Sequence, residues 1–237
     1  MLKDGTIQQN LCHGSTFQKY RSTVVGGSKF LHFLMYECSI VFILPLPGTL
    51  GIHLRRFVMP YLFIHFGKNN SMHRDVVFRR PQQISIGNRV TLEEGVMLDI
   101  KGNEGFIKIH NDVHIDKNTI LSCPGGSLVI GKGTRIGKNC RLGSLKGLTI
   151  GEHTVINDNS CIVGAGHAYQ ANDMPIIEQP LTCRGSTVIE DYVIIEKEVT
   201  VLDGIHIGAK SKILARSLVN TNTAANCTVA GVPGLIV

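Results

Sequence analysis

The chain has 237 residues, of which 43% are hydrophobic and 18% charged, with 26 glycines, 8 prolines and no tryptophan. That balance allows a sizeable core, argues against long polar helices and points to many tight turns. The formal charge of +6 favours phosphate-bearing ligands or anionic lipid, but the cations form no run and no nucleic-acid motif occurs, so a nucleic-acid partner is not expected.

Residues 1–28 are polar and Gly-rich, and are expected to form a flexible arm. The opening Met1-Leu2-Lys3-Asp4-Gly5 has no secretory character. The seven cysteines, Cys12, Cys38, Cys123, Cys140, Cys161, Cys183 and Cys227, are widely spaced and include no C-x-x-C pair. Reduced thiols in a cytoplasmic protein are therefore expected, without a zinc ribbon.

Residues 29–83 read as an apolar, helical leader. The run from Lys29 to Leu44 ends at Pro45 and Pro47, and a second run from Leu50 to Phe66 contains Arg55 and Arg56 and is interrupted by Pro60. A bilayer span needs about 20 apolar residues, and the first run is shorter and carries His32 and Glu37. Two readings remain: helices that pack on protein, or an interfacial anchor through 29–66 with Lys29, Arg55 and Arg56 facing lipid phosphates.

From residue 84 to 237 one cycle recurs. An aliphatic residue is followed by Gly, Asp, Glu or Asn, and four residues after the aliphatic stands a small or β-branched residue. Clear examples are Ile86-Gly87…Val90, Ile130-Gly131…Thr134, Ile136-Gly137…Cys140, Ile150-Gly151…Thr154 and Ile207-Gly208…Ser211. Short strands would place one aliphatic inward per hexad, and Gly, Asn or Asp would take the tight turn. Three hexads would close one coil, and stacked coils would share a core. Coil starts at Ile86, Ile109, Ile130, Ile150, Ile189 and Ile207 keep phase if every insertion leaves from one corner. The longest insertion, about residues 166–186, begins at His167-Ala168-Tyr169, and a long loop on a rigid repeat is a place to look for function. Periodicity says nothing of hand, and parallel crossovers default to right-handed.

Three stretches together resemble the hexapeptide-repeat acyltransferases, in particular the sugar O-acetyltransferase branch. They are the hexads; His167-Ala-Tyr with Asp173-Met-Pro-Ile-Ile-Glu-Gln179 and Val188-Ile-Glu-Asp-Tyr-Val193; and Val201-Leu-Asp-Gly-Ile-His-Ile-Gly208 with the ending Val229-Ala-Gly-Val-Pro-Gly234. The resemblance implies a left-handed parallel β-helix and a homotrimer with active sites between subunits. It further implies acetyl-CoA lying along the later coils, and no metal. His167 matches the general-base position, where an imidazole would take the proton of a sugar hydroxyl during attack on the thioester. The implied setting is surface-polysaccharide biosynthesis in the cytoplasm, or peripheral to the inner face of the membrane.

Around that base the sequence offers Asn157, Tyr169 and Asp173 for the acceptor and Ala215, Arg216, Lys210 and Gly231 for CoA. Asp158, Asp173, Glu178 and Glu190 are candidates to orient His167. The chain departs from the family pattern at Ile194, Glu196, Lys197, Leu214, Thr221 and Leu235, and Arg216, Lys210 and Lys212 are candidates to replace missing positive charge. Three competing functions stay open. A zinc hydratase on the same repeat would need His110, His114 and His153 to converge. A non-catalytic scaffold would bind no CoA, and an N-acetyltransferase of an amino sugar would use the same base.

Overall fold

The computed structural model describes residues 15–26, 29–143, 145–170 and 173–237. From His65 onward the chain winds into a parallel β-helix with three faces. The first face stacks seven strands from His65–Phe66 to His206–Ile207, and the third stacks seven from Val77–Phe78 to Leu218–Val219. The second runs from Ser71–Met72 through Lys212–Ile213 to Thr228–Ala230, where Leu235–Ile236 closes it antiparallel. On the first face Phe66, Ile86, Ile109, Ile130, Ile150, Ile189 and Ile207 form one column. All six coil starts expected from the sequence therefore stand above one another.

The β-helix begins a coil earlier than the boundary at 84. Residues 65–78 fill the first coil with Phe66, Met72 and Phe78, where later coils use Ile, Leu or Val. The insertions at 101–105, 124–126 and 163–186 all leave the third face and return on the first, as the phase of the repeat requires.

The corner chemistry corrects the sequence reading of the glycines. The left-handed residue is the third after the aliphatic, and it is seldom Gly: Arg89, Asp112, Asn118, Asn139, His153, Asn159, Tyr192, Glu198, Lys210 and Arg216 all have φ between 53° and 61°. The Gly directly after the aliphatic serves close approach instead. A Cβ on Gly131 would meet the Gly151 carbonyl oxygen at 2.5 Å, and one on Gly87 would meet Asn111 Oδ1 at 2.6 Å. The fourth residue points inward and often carries a hydroxyl. Thr134 Oγ1 donates to the Gly151 carbonyl (2.7 Å) and accepts from Thr154 N–H (3.3 Å), and Thr154 Oγ1 repeats this with Glu190 O (2.9 Å) and Val193 N–H (3.3 Å). These buried hydroxyls satisfy both of their roles and tie each coil to the next.

Three helices cover the first coil: α1 (Thr16–Tyr20), α2 (Phe30–Cys38) and α3 (Gly48–Val58), with π-helical turns after α1 and α2. Part of the expected flexible arm is thus built into the fold. Ser15 and Gln18 cap α1 reciprocally, Val25 is buried, and Arg80 donates to the Ser22 carbonyl at 2.8 Å. The remainder of that arm, including Cys12, lies outside the described residues.

On the faces, N–H groups donate towards the following coil, as Gly67 N–H does to Ile86 O (2.8 Å), whereas left-handed corner residues donate back, as Arg89 N–H does to Lys68 O (2.9 Å). The strand carbonyls of the first coil therefore face an open edge, and the helices supply donors to it. Arg55, 1% exposed, gives Nε–H to Met72 O (2.7 Å) and Nη1 to Ile43, Leu44 and Leu46 carbonyls at 2.9–3.1 Å. Arg56 Nε–H reaches Asn70 O (2.6 Å), and Tyr36 O–H reaches Phe78 O (2.8 Å). Arg55 does not face lipid phosphates, because it is buried among backbone carbonyls; Arg56 is half-buried with its Nε–H engaged, and Lys29 is exposed. On the outer side α2, with its extension, exposes Phe30, Leu31, Leu34, Val41 and Phe42, and α3 exposes Leu50, Leu54 and Phe57. Among the described residues no helix is long and apolar enough to cross a membrane.

The two roles of glycine separate by substitution. Gly131→Ala should lower the free energy of unfolding by about 1–3 kcal/mol, the cost of overpacking. Gly125→Ala, whose Cβ would meet nothing nearer than 3.6 Å, should stay within about 0.5 kcal/mol of wild type. Denaturant unfolding of the two variants side by side tests this.

Candidate active site

His167 lies where the fifth coil leaves the third face. Gly166–His167 pairs antiparallel with Leu181–Thr182, so the insertion rises as a hairpin rather than a loose loop. Ala168 N–H to Pro180 O (2.9 Å) extends the ladder by one bond. Beyond it the arm carries a 3₁₀ turn at Ile176–Glu178, and exposes Tyr169, Met174, Ile176 and Ile177.

The hairpin sets the chemistry of the ring. His167 Nδ1 sits 2.9 Å from the carbonyl oxygen of Gln179, a residue only 2% exposed in an otherwise open arm. A carbonyl can only accept, so Nδ1 carries the proton in the neutral ring. Nε2 is left as the nitrogen able to take one. When it does, the Nδ1–H bond becomes charge-assisted and holds the imidazolium in place.

The orienting group is therefore a backbone carbonyl and not one of the four expected carboxylates. Asp158 accepts from Lys138 N–H (3.0 Å) and pairs with Lys197 (3.5 Å). Glu190 holds His206 Nε2 (2.8 Å) and Ala209 N–H (2.7 Å), and these bonds lower its pKa. Asp173 and Glu178 are exposed on the arm.

His167 opens onto a groove of about 410 Å³, within the range that takes a small ligand. Its floor is third-face surface, Ser122, Arg141, Leu142 and Gly143; the corner segments supply Lys101, Pro124 and Leu145; the hairpin base supplies Val163 to His167 and Leu181. Sequence reasoning missed this set, because its members are about a coil apart in the chain. Aligning the hexads coil over coil would have found it, since Ile120, Arg141 and Cys161 share a column, as do Ser122 and Gly143.

The other expected residues fall into separate places. Asn157 belongs to the corner between the second and third faces, and donates Nδ2–H to Ile195 O (3.0 Å); it bridges coils and does not line the groove. Tyr169 and Asp173 ride on the arm beyond the groove lining. Ala215 and Arg216 share the second-to-third corner of the last coil. Gly231 stacks beside them, bonded to Leu218 N–H (3.0 Å) and Ser217 Oγ (3.2 Å). Lys210 sits at a different corner, apart from those three. Arg216 pairs with Glu198 (2.8 Å) and Lys212 with Glu196 (2.9 Å), so part of their charge is already matched. Among the described residues, no group of three or more His, Cys, Asp or Glu side chains could hold a metal ion.

With this geometry the chain can be compared with known proteins. No protein-family model matches it. Over 167 residues, 62% of the chain, it is 27% identical to the UDP-3-O-acylglucosamine N-acyltransferases of Methylorubrum populi and Methylorubrum extorquens. The match spans 40% of the length of those proteins. Among solved structures, the polysialic acid O-acetyltransferase OatWY is similar with a TM-score of 0.57 and 20% identity, over 73% of this chain and 88% of that one. A mutant of AntD, an N-acyltransferase from Bacillus cereus, in complex with dTDP-4-amino-4,6-dideoxyglucose and coenzyme A, gives a TM-score of 0.50 and 20% identity over 74% of this chain and 82% of that one. The likeness is one of fold, the left-handed parallel β-helix of hexapeptide-repeat acyltransferases.

The tautomer is directly measurable. In protein labelled with ¹⁵N-histidine, with the His167 signals assigned by their loss in His167→Gln, the neutral ring should show Nδ1 protonated and Nε2 bare. The opposite tautomer would contradict the bond to Gln179.

Proposed function

We propose that this chain moves an acetyl group from acetyl-CoA to a hydroxyl of a sugar, in the making of a surface polysaccharide, with His167 as general base. The observation that carries the proposal is the bond from His167 Nδ1 to the Gln179 carbonyl, at the mouth of a groove of sugar-ligand size. The acceptor oxygen attacks the thioester carbon as Nε2 takes its proton. The tetrahedral intermediate then collapses, and the CoA sulfur leaves with that proton. No acyl-enzyme forms. The donor would lie along the third face of the last two coils, between the corner holding Ala215, Arg216 and Gly231 and the corner holding His167. The exposed apolar side chains of the arm support a neighbouring subunit packing there, in a homotrimer with sites between subunits.

Transfer to the amine of an amino sugar is the second reading, favoured by the names of the sequence relatives and of AntD. Matched acceptors differing only in hydroxyl or amine separate the two. In either case His167→Ala should fold as wild type yet lose about 10²–10⁴ in kcat, the usual contribution of general-base catalysis. Release of CoA thiol reports the rate, and wild-type turnover in the variant would remove His167 from the mechanism.

The outward face of α2 and α3 supports peripheral membrane contact. Its one carboxylate on α2, Glu37, is engaged by Tyr20 O–H at 2.7 Å, which leaves a surface of apolar side chains beside Lys29. The double variant Phe42→Glu, Phe57→Glu should sediment with anionic vesicles at least about tenfold less than wild type, since charges at such positions oppose burial at the interface. Equal sedimentation would exclude this face as the anchor.

A further inference from the structure

The groove beside His167 carries an electrostatic signature that sugar recognition alone does not require. Its lining includes Lys101, Arg141 and His167, and among the described residues it includes no carboxylate. Lys101 is partly matched by Asp99 at 3.7 Å, but Asp99 also serves Arg79 at 3.3 Å, so one anion is shared by two cations. Arg141 has no ion pair at all among the described residues. Elsewhere on the outer surface this chain matches many of its cations: Arg74 with Glu94, Arg89 with Asp112, Lys197 with Asp158, Lys212 with Glu196 and Arg216 with Glu198. Arg141 is thus an unmatched guanidinium on the groove floor.

The floor around it is kept open. Gly143, one strand position beyond Leu142 on the same coil, stands in register with Ser122. A Cβ at Gly143 would meet the Ser122 carbonyl oxygen at 2.5 Å, so at that floor position beside Arg141 the chain carries no side chain, and the preceding coil carries only the small Ser122. Gly164, Ala165 and Gly166 continue the small lining up to His167.

We propose that the acceptor is an anionic sugar, whose oxyanion is held by Arg141 with Lys101 in support while its reacting hydroxyl or amine meets His167. The inference rests on the reading of this groove as the acceptor side of a transferase, and it names the acceptor's chemical class. A planar guanidinium with several free N–H donors suits both a carboxylate and a phosphate. The anion could thus belong to a sugar acid or to a phosphate-linked sugar. The donor's phosphates are assigned to the far side of His167, along the last coils.

The test is calorimetric binding to the full chain, wild type beside Arg141→Gln and Arg141→Lys, with two matched pairs of probes. One pair is N-acetylneuraminic acid and its methyl ester, and the other is N-acetylglucosamine 1-phosphate and N-acetylglucosamine. Wild type should bind one charged probe at least about tenfold more tightly than its neutral counterpart, the worth of one charge-assisted hydrogen bond. Arg141→Gln should abolish that preference, Arg141→Lys should keep part of it, and acetyl-CoA binding should be unchanged in both. Which pair shows the preference identifies the anion as carboxylate or phosphate. The proposal is overturned if neither charged probe is preferred, if the preference survives Arg141→Gln, or if that variant weakens acetyl-CoA instead. If the charge preference is present but no acetyl group is transferred to any probe, the transferase reading fails while the anionic groove stands.

Discussion

Everything in this chain follows from the requirement that successive coils approach to the spacing of a β-ladder, about 4.8 Å, at the corners as well as on the faces. A corner built of ordinary residues would hold the coils apart. The hexad solves this at three positions. Gly after the aliphatic lets the next backbone in, as at Gly131 below Gly151. The third residue turns left-handed, which costs a non-Gly residue about 1–2 kcal/mol, but aims its N–H at the coil before. Asp112 N–H reaches Asn88 O at 2.9 Å and Arg216 N–H reaches Lys197 O at 3.0 Å in this way. The ladder is thereby continuous around the bend, and the side chain at the left-handed position is left free to vary. That freedom explains how Tyr192, Lys210 and Arg216 occupy geometrically equivalent places.

A corner that must stack cannot also accept an insertion. Two of the three corners here are stacked throughout, and the third takes every irregular segment. The irregular segments therefore gather at one corner: the hairpin bearing His167, the segment bearing Lys101 and the wall at Pro124 and Leu145 all line one groove. The rigid face beneath fixes Arg141 and Gly143 in register. The site thus combines a floor set by the ladder with a rim set by insertions of different length.

This division also explains what could be read from the sequence. The hexads were legible because each buried aliphatic is dictated locally, and the column from Ile86 to Ile207 emerged with its phase intact. The first coil escaped because Phe66, Met72 and Phe78 replace the aliphatics, although Gly67 and the buried Asn70 stand at the expected offsets. Asn70 even performs the corner role, accepting from Val90 N–H at 2.8 Å. His167 came from the family resemblance, but its orienting partner could not, since a backbone carbonyl leaves no mark on the sequence. A carboxylate is a side chain that a sequence displays, and the hairpin uses Gln179 O instead. Arg55 misled for a related reason. A cation within an apolar run looks like a lipid contact until the open edge of the first coil, a tertiary feature, supplies its carbonyls.

That edge has a further consequence for the helices. A free row of strand carbonyls invites pairing with another chain, and Arg55, Arg56 and Tyr36 close it with side-chain donors. Each bond fixes which side of its helix faces the coil. With Tyr36 pinned to Phe78 O and Arg55 to Met72 O, α2 and α3 cannot rotate to bury their other sides. The row Leu50, Leu54, Phe57 and the group Phe30, Leu31, Leu34 are therefore held outward by the same contacts that seal the β-helix. Exposed apolar area on that scale is unusual for a surface that meets only water. The capping of the first coil and the direction of the apolar face are one geometric fact, and it places whatever the face meets at the opposite end of the β-helix from the coils proposed to hold the donor.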